Sequence, residues 1–292
     1  MAGDTAILSG ARIAIVGLGL MGGSLALALR GKCAARLGIE IDPVTAMLAS
    51  QMNAVDEVSS DPASLLPKAN VIILATPVNG IIQLIHALPD LHPGSPLVLD
   101  LGSTKVSILK AMQDLPERFD PVGGHPMCGK EQSGLDNADA LLFRSAAFAF
   151  TPLPRTSSRA RNFCLELAQA IGAHPLWLDP SVHDTWVAST SHLPYLVASA
   201  LALATPPETA PVAGPGYRSS TRLASNPAAM MIDVLMSNRE NILTSMLRFQ
   251  EQLDILRDLL ARDDFSSLKE LLANCADRQN EFLSISKKGN AL

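Results

Sequence analysis

Gly17, Gly19 and Gly22 stand in GxGxxG spacing, directly after the apolar run 12–16 and before apolar residues that recur at helical spacing through Leu29. In that setting each glycine has a mechanical task. The first permits a tight turn, the second lets backbone approach a pyrophosphate, and the third lets strand and helix pack closely. The phosphates then lie at the positive end of the helix that opens at Leu20 and Met21. Glu40 ends the next apolar run about twenty residues on, where a carboxylate bonds the adenosine ribose hydroxyls and repels a 2'-phosphate. This predicts NAD in preference to NADP, although Asp42 could share the role of Glu40, and Lys32 or Arg36 would favour NADP. Thr76 and Pro77 close a third apolar run, at the sheet edge that passes beneath such a cofactor; an ordinary strand end stopped by proline reads the same way.

Farther along come Ser103, in the run DLGSTK (100–105), and His125, in GGHPMCGKE (123–131). A histidine in a glycine-rich loop beside bound nicotinamide can take the proton of a substrate hydroxyl while hydride departs, because its ordinary pKa lies near neutrality. Ser103 is placed to orient it. By spacing alone, a surface or structurally satisfied histidine is the commoner reading of such a residue. Cys128, beside this loop, reads as a small apolar filler rather than a nucleophile, since no covalent step is required.

Strands must hold these residues at one edge. Period and composition predict them at 12–16, 36–41, 71–76 and 96–101 with helices between, which is the pattern of a doubly wound parallel sheet. Runs at 146–151 and 174–178 flank a helical segment and extend that sheet. Beyond them the spacing is helical almost throughout. The expected fold is α/β, with an N-terminal Rossmann-type doubly wound parallel sheet over 1–180 followed by an all-helical C-terminal domain over 181–292. Proline and glycine density makes 205–216 a loop between helices. Past it, Ile232, Leu235, Met236, Ile242, Leu243, Met246, Leu247, Leu253, Leu256 and Leu260 form an apolar stripe that the same chain or a second subunit must cover.

The 292 residues, 48% hydrophobic and 17% charged with a net charge of −5, describe an ordinary acidic globular chain of two domains. No basic stripe points to nucleic acid. The apolar stretch 193–204 is interrupted at Pro194, so no membrane span is expected, and no secretory signal is evident. Four cysteines without a CxxC pair read as reduced cytoplasmic thiols, with neither a disulfide framework nor a metal site.

On the glycine turn, DLGSTK, GGHPMCGKEQSG (123–134), SHLPY (191–195) and YRSSTRLASNP (217–227), the chain resembles the prephenate and arogenate dehydrogenases of tyrosine biosynthesis. The resemblance implies oxidative decarboxylation of a hydroxylated cyclohexadiene: hydride passes to NAD and the ring becomes aromatic. It makes His125 the catalytic histidine that polarises the ring hydroxyl, Ser103 its hydrogen-bonding partner, and Arg222 the binder of a substrate carboxylate. His192 and Glu131 are similar to residues that line the substrate site. Tyr195 stands where a second histidine is common, Met231 where tryptophan is, Pro215 where glycine is, and Cys128 where alanine is. Tyr195 and Met231 could both border the substrate, so prephenate, with its keto acid side chain, and arogenate, with an amino acid side chain, both remain open. The helical half is similar to the family's dimerisation domain, which implies a homodimer. With no added segment before Arg12 or after the helical half, a monofunctional enzyme is expected. Two rivals stand beside this reading. A β-hydroxy acid dehydrogenase would rely on a lysine in its helical domain, and none lies between Lys130 and Lys269; the other rival is a non-catalytic NAD-binding regulator.

Overall fold

The computed structural model describes residues 7–130 and 132–289. Its first half runs β1 (Arg12–Val16), α1 (Leu20–Ala28), β2 (Ala35–Ile39), α2 (Pro43–Gln51), β3 (Glu57–Ser59), α3 (Pro62–Leu65), β4 (Val71–Leu74), α4 (Val78–Leu91), β5 (Leu97–Asp100), α5 (Val106–Gln113), β6 (Asp120–Pro126), β7 (Ala147–Pro152), α6 (Ser158–Ile171) and β8 (His174–Trp177). These strands form one eight-stranded sheet in the order β3-β2-β1-β4-β5-β6-β7-β8, parallel except where β6 meets β7. The chain steps outward from β1 to β2 and β3, then returns to the other side of β1 to lay down β4. That reversal is the switch point at which such sheets open a ligand crevice.

RIAIV, VIIL and LVLD are buried on both faces, which is why these strands read as continuous apolar runs rather than alternating ones. One core layer packs Leu25 and Leu29 of α1 and Phe163 and Leu167 of α6 against the sheet. The opposite layer packs Ile81 and Ile85 of α4 and Ile108 and Met112 of α5.

Two strands escape the sequence patterning, and one matters for the site. β6 carries His125, which the sequence places in a loop. Its Gly123-Gly124-His125-Pro126 composition is depleted in strands, yet the packing demands it. A side chain on Gly124 would lie 2.7 Å from the carbonyl oxygen of Asp100.

The second half is helical: α7 (Pro180–Val187), α8 (Leu193–Ala204), α9 (Pro215–Thr221), α10 (Ala228–Ser237), α11 (Arg239–Ala261) and α12 (Phe265–Gly289). The residues between α7 and α8, Ala188–His192, form a π-turn, so Pro180–Ala204 is one continuous helical stretch of 25 residues. Pro194 therefore does not interrupt it. Proline sits in the first turn of α8, where its missing N–H and fixed φ are tolerated, and the wider π-turn before it absorbs the misfit. By length and composition alone the stretch is apolar enough to cross a bilayer, contrary to the sequence expectation. Here it is the spine between the two halves, because its buried His183, Asp184 and His192 turn toward the sheet edge and α11. In the 205–216 segment a short 3₁₀ turn at Pro207–Val212 precedes α9, which already begins at Pro215. Of the predicted stripe, Ile242 is buried, whereas Ile232, Met236, Leu243, Met246, Leu247, Leu253 and Leu260 stay exposed on this chain.

Candidate active site

The carboxyl ends of β1, β4, β5 and β6 bring Gly17, Thr76, Ser103 and His125 to the same edge of the sheet. At β1 the backbone bends through Gly17 with φ at +91°, and a side chain there would strike Ala75 and Thr76. Gly22 lies so close to the Gly17 carbonyl that a Cβ there would collide with it. Gly19 differs: a Cβ there would meet nothing within 4 Å. That open space faces the first turn of α1, at Leu20 and Met21, whose amides have no intrahelical acceptors. It is the cradle that a pyrophosphate requires.

Glu40 lies just beyond β2. Its Oε2 accepts from the Leu18 amide at 2.8 Å and its Oε1 from the Asp42 amide at 3.0 Å, so the carboxylate is pinned against the glycine turn. The groups that could have favoured NADP are occupied elsewhere. Arg36 pairs with Asp56 at 2.7 Å and donates to the Ala26 and Ala54 carbonyls, while Lys32 donates to the Ala170 carbonyl. Asp42 caps α2 through the amides of Val44 and Thr45. The Thr76 hydroxyl is buried with no hydrogen-bond partner among the described residues; it lies toward Gly80 of α4, while the methyl group is the part nearest Gly17. Pro77 is exposed beside it at the start of α4.

His125 is held from its backbone and from its ring. Asp100 and Lys105, both wholly buried, form an ion pair at the end of β5. Asp100 Oδ1 accepts from the Gly124 amide at 3.1 Å, and Lys105 Nζ donates to the Gly124 carbonyl at 2.6 Å, so both peptide groups flanking that glycine are clamped. The sequence makes Ser103 the expected partner of His125. Instead its Nδ1 meets Nε2 of His183 at 3.0 Å, with the rings edge to face, and Ser103 lines the cleft beside it. His183 Nδ1 in turn meets Asp184 Oδ1 at 2.8 Å. Asp184 accepts from the amides of Lys105 and Val106 at the start of α5, at 2.7 and 2.9 Å. Burial, and next the nearby His183, Lys105 and His192, hold the His125 pKa well below its ordinary 6.5.

A cleft of about 390 Å³ opens beside these groups, between the sheet edge and the helical half. Ser103, His125, His192, Arg222 and Met231 are among its lining residues. A larger depression of about 550 Å³, beyond α5, is lined by Val106, Leu109, Pro152 and Pro154 and contains none of the predicted site residues. Arg222 reaches the cleft from a 3₁₀ turn, Arg222–Ser225, after α9. His192 is buried, and its Nδ1 lies 3.2 Å from Nδ2 of Asn238, which also donates to the Asp184 carbonyl. That contact makes Nδ1 the acceptor, so the neutral ring carries its proton on Nε2. Burial pushes the His192 pKa down to about 4 despite the attraction of Asp184. Tyr195 is half-buried one turn beyond and is not among the lining residues. Glu131 lies outside the described residues. Burial raises the Cys128 thiol to about 11, so it is a neutral part of the wall.

Sequence reasoning missed Asp100, Lys105, His183, Asp184 and Asn238 as parts of the site. The adjacent His183-Asp184 pair is the one local signal, but its partners lie 58 and 79 residues away.

A glycine turn at a Rossmann switch point, facing a histidine-bearing cleft closed by a helical half, defines a two-domain dinucleotide-dependent dehydrogenase. The chain belongs to the prephenate dehydrogenase family: that family's nucleotide-binding domain matches residues 25–176 and its dimerization domain matches 179–274. The prephenate dehydrogenase of Bacillus subtilis is 32% identical over 289 residues, 95% of this chain and 77% of that protein. The cyclohexadienyl dehydrogenase of Zymomonas mobilis is 28% identical, over 88% and 91% of the two chains. The structure of A. aeolicus prephenate dehydrogenase in complex with hydroxyphenyl propionate and NAD+ superposes with a TM-score of 0.86 at 27% identity, over 94% of this chain and 99% of that one. Synechocystis arogenate dehydrogenase gives 0.79 at 28% identity, over 93% and 99%.

Proposed function

We propose that the chain catalyses NAD-dependent oxidative decarboxylation of prephenate to 4-hydroxyphenylpyruvate, the tyrosine-pathway reaction. The observation that carries this reading is the meeting of His125, His192 and Arg222 around one cleft at the dinucleotide edge of the sheet. Gly17, Gly19, Gly22, Leu20 and Met21 would cradle the pyrophosphate, Glu40 the adenosine ribose, and Thr76 and Pro77 the segment beneath the ring. Bound NAD supplies a hydride acceptor.

The protein's own task is to orient the substrate, take one proton and hold one carboxylate. With Nδ1 of His125 engaged by His183, Nε2 is the nitrogen left for the substrate hydroxyl. As the carbinol hydrogen leaves as hydride, the O–H proton passes to Nε2 and the carbon–oxygen bond becomes double. The bond to the ring carboxylate then breaks. Its electron pair enters the ring, carbon dioxide departs, and the phenolate recovers a proton. Arg222 offers a planar, permanently charged fork to a carboxylate. Neutral His192 offers a donor at the wall, and Ser103 a hydroxyl beside His125. Glu131 and Tyr195 are assigned to the substrate side on family resemblance.

The same steps serve arogenate, and the likeness to Synechocystis arogenate dehydrogenase supports that second substrate. The two functional units divide at 180/181, after the last strand ends at Trp177 and where Asp179 caps α7. The apolar residues left exposed along α10 and α11 support a homodimer through the helical half, and four free cysteines support a cytoplasmic enzyme. The test supplies purified protein with NAD and either prephenate or arogenate and identifies the product by mass. 4-Hydroxyphenylpyruvate from prephenate supports the reading, and its absence refutes it.

A further inference from the structure

His125 and the two groups behind it, His183 and Asp184, form a line in which every hydrogen has an assignable place. Asp184 is wholly buried and takes two backbone N–H donors at the start of α5, groups that can only donate. A carboxylate so placed is an acceptor toward His183, so the shared hydrogen sits on Nδ1 of His183. A neutral imidazole with Nδ1 protonated has a lone pair on Nε2, and that nitrogen is the one 3.0 Å from His125. The hydrogen of the His125–His183 contact must then belong to His125. Its Nε2 is left with a lone pair and no proton.

We propose that His183 and Asp184 are positioning residues that lock His125 in the Nδ1-protonated tautomer, so that Nε2 enters the reaction as a ready base. The proposal rests on the reading of His125 given above. When the substrate O–H bond breaks and the Nε2–H bond forms, no hydrogen bond in the line reverses. His125 still donates to His183, and His183 still donates to the Asp184 carboxylate, which now faces an imidazolium two rings away. The same pair ties the helical half to the sheet, since Asp184 lies on α7 and its two amide donors begin α5. An imidazolium at position 183 would reverse the order, placing a proton on His125 Nε2 and removing the base.

The experiment compares His183→Gln with His183→Leu. Glutamine can reproduce both contacts, its amide nitrogen donating to Asp184 and its oxygen accepting from His125 Nδ1; leucine can make neither. His183→Leu is expected to lose about 100-fold in kcat, within the range of general acid–base contributions, while the KM for NAD changes little. His183→Gln is expected to stay within about fivefold of the parent, because it keeps the tautomer rather than the ring. In the unaltered protein, ¹⁵N histidine spectra at pH 8 should show His125 protonated on Nδ1. An Nε2-protonated His125, a His183→Leu enzyme with unchanged kcat, or equal losses in both variants would overturn the proposal. The spectra decide the tautomer even if a variant does not fold. They also decide it if the unaltered protein fails to oxidise prephenate, an outcome that would sink the functional reading but not the hydrogen-bond assignment.

Discussion

Replacing Lys105 with methionine removes the cation of a wholly buried pair while keeping most of the side-chain volume. Breaking such a pair typically costs about 3–5 kcal/mol, because one charge stays behind in the interior. Asp100 would keep the amide donors of Gly102 and Gly124, at 2.8 and 3.1 Å, which places the cost near the lower end, about 3 kcal/mol. For a chain of this size that corresponds to a fall in Tm of about 5 °C. Burial already raises the Asp100 carboxyl, and loss of Lys105 removes the attraction that opposes it. A carboxyl whose folded pKa lies above its unfolded value destabilises the fold once pH exceeds the unfolded pKa, and the penalty reaches its full size only above the folded pKa. The gap in Tm between parent and variant should therefore be wide at pH 7.5 and narrow at pH 5. Differential scanning calorimetry at both pH values measures it. A fall below 2 °C at pH 7.5, or a gap that does not narrow at pH 5, would show that the pair is not the structural clamp described above.

Three further outcomes follow from the site. Gly19→Ala adds a methyl group into open space, so Tm without cofactor should hold while NAD affinity by calorimetry falls about tenfold or more, equivalent to about 1.4 kcal/mol; unchanged affinity would move the pyrophosphate elsewhere. With the His125 pKa held well below 6.5 by burial and by the facing His183, Lys105 and His192, its basic form persists through pH 6.5. The acid limb of kcat/KM should thus fall only at lower pH, and a midpoint at or above 6.5 would contradict the assignment. Arg222→Ala should raise the KM for prephenate by about 10- to 100-fold, the size of a lost charged hydrogen bond, and an unchanged KM would remove Arg222 from the substrate site.

What the sequence reveals is set by how local each cause is. The glycine turn is readable because the strand, turn and helix that need Gly17, Gly19 and Gly22 are contiguous, and Glu40 is one strand away. β6 is not readable, because what requires its two glycines is distant in sequence: a side chain on Gly124 would meet the Asp100 carbonyl oxygen, and one on Gly123 would meet Thr151 and Leu109. The His183–Asp184 support is hidden for the same reason. Its meaning depends on α7 crossing the ends of β6 and α5, a tertiary placement that no local period encodes. Pro194 misleads in the opposite sense, since its local preference to end a helix yields to a π-turn that lets the spine continue. The apolar stripe is legible as a face that needs cover, while the identity of the cover lies outside a single chain.

The central claim is that His125 is the base of an NAD-dependent oxidative decarboxylation. Steady-state turnover of prephenate with NAD, by the parent and by His125→Asn at pH 7.5, tests it most directly. The account predicts NADH formation by the parent and a fall in kcat of about 10²- to 10⁴-fold in the variant, with the Kd for NAD nearly unchanged. A variant rate within tenfold of the parent would contradict it.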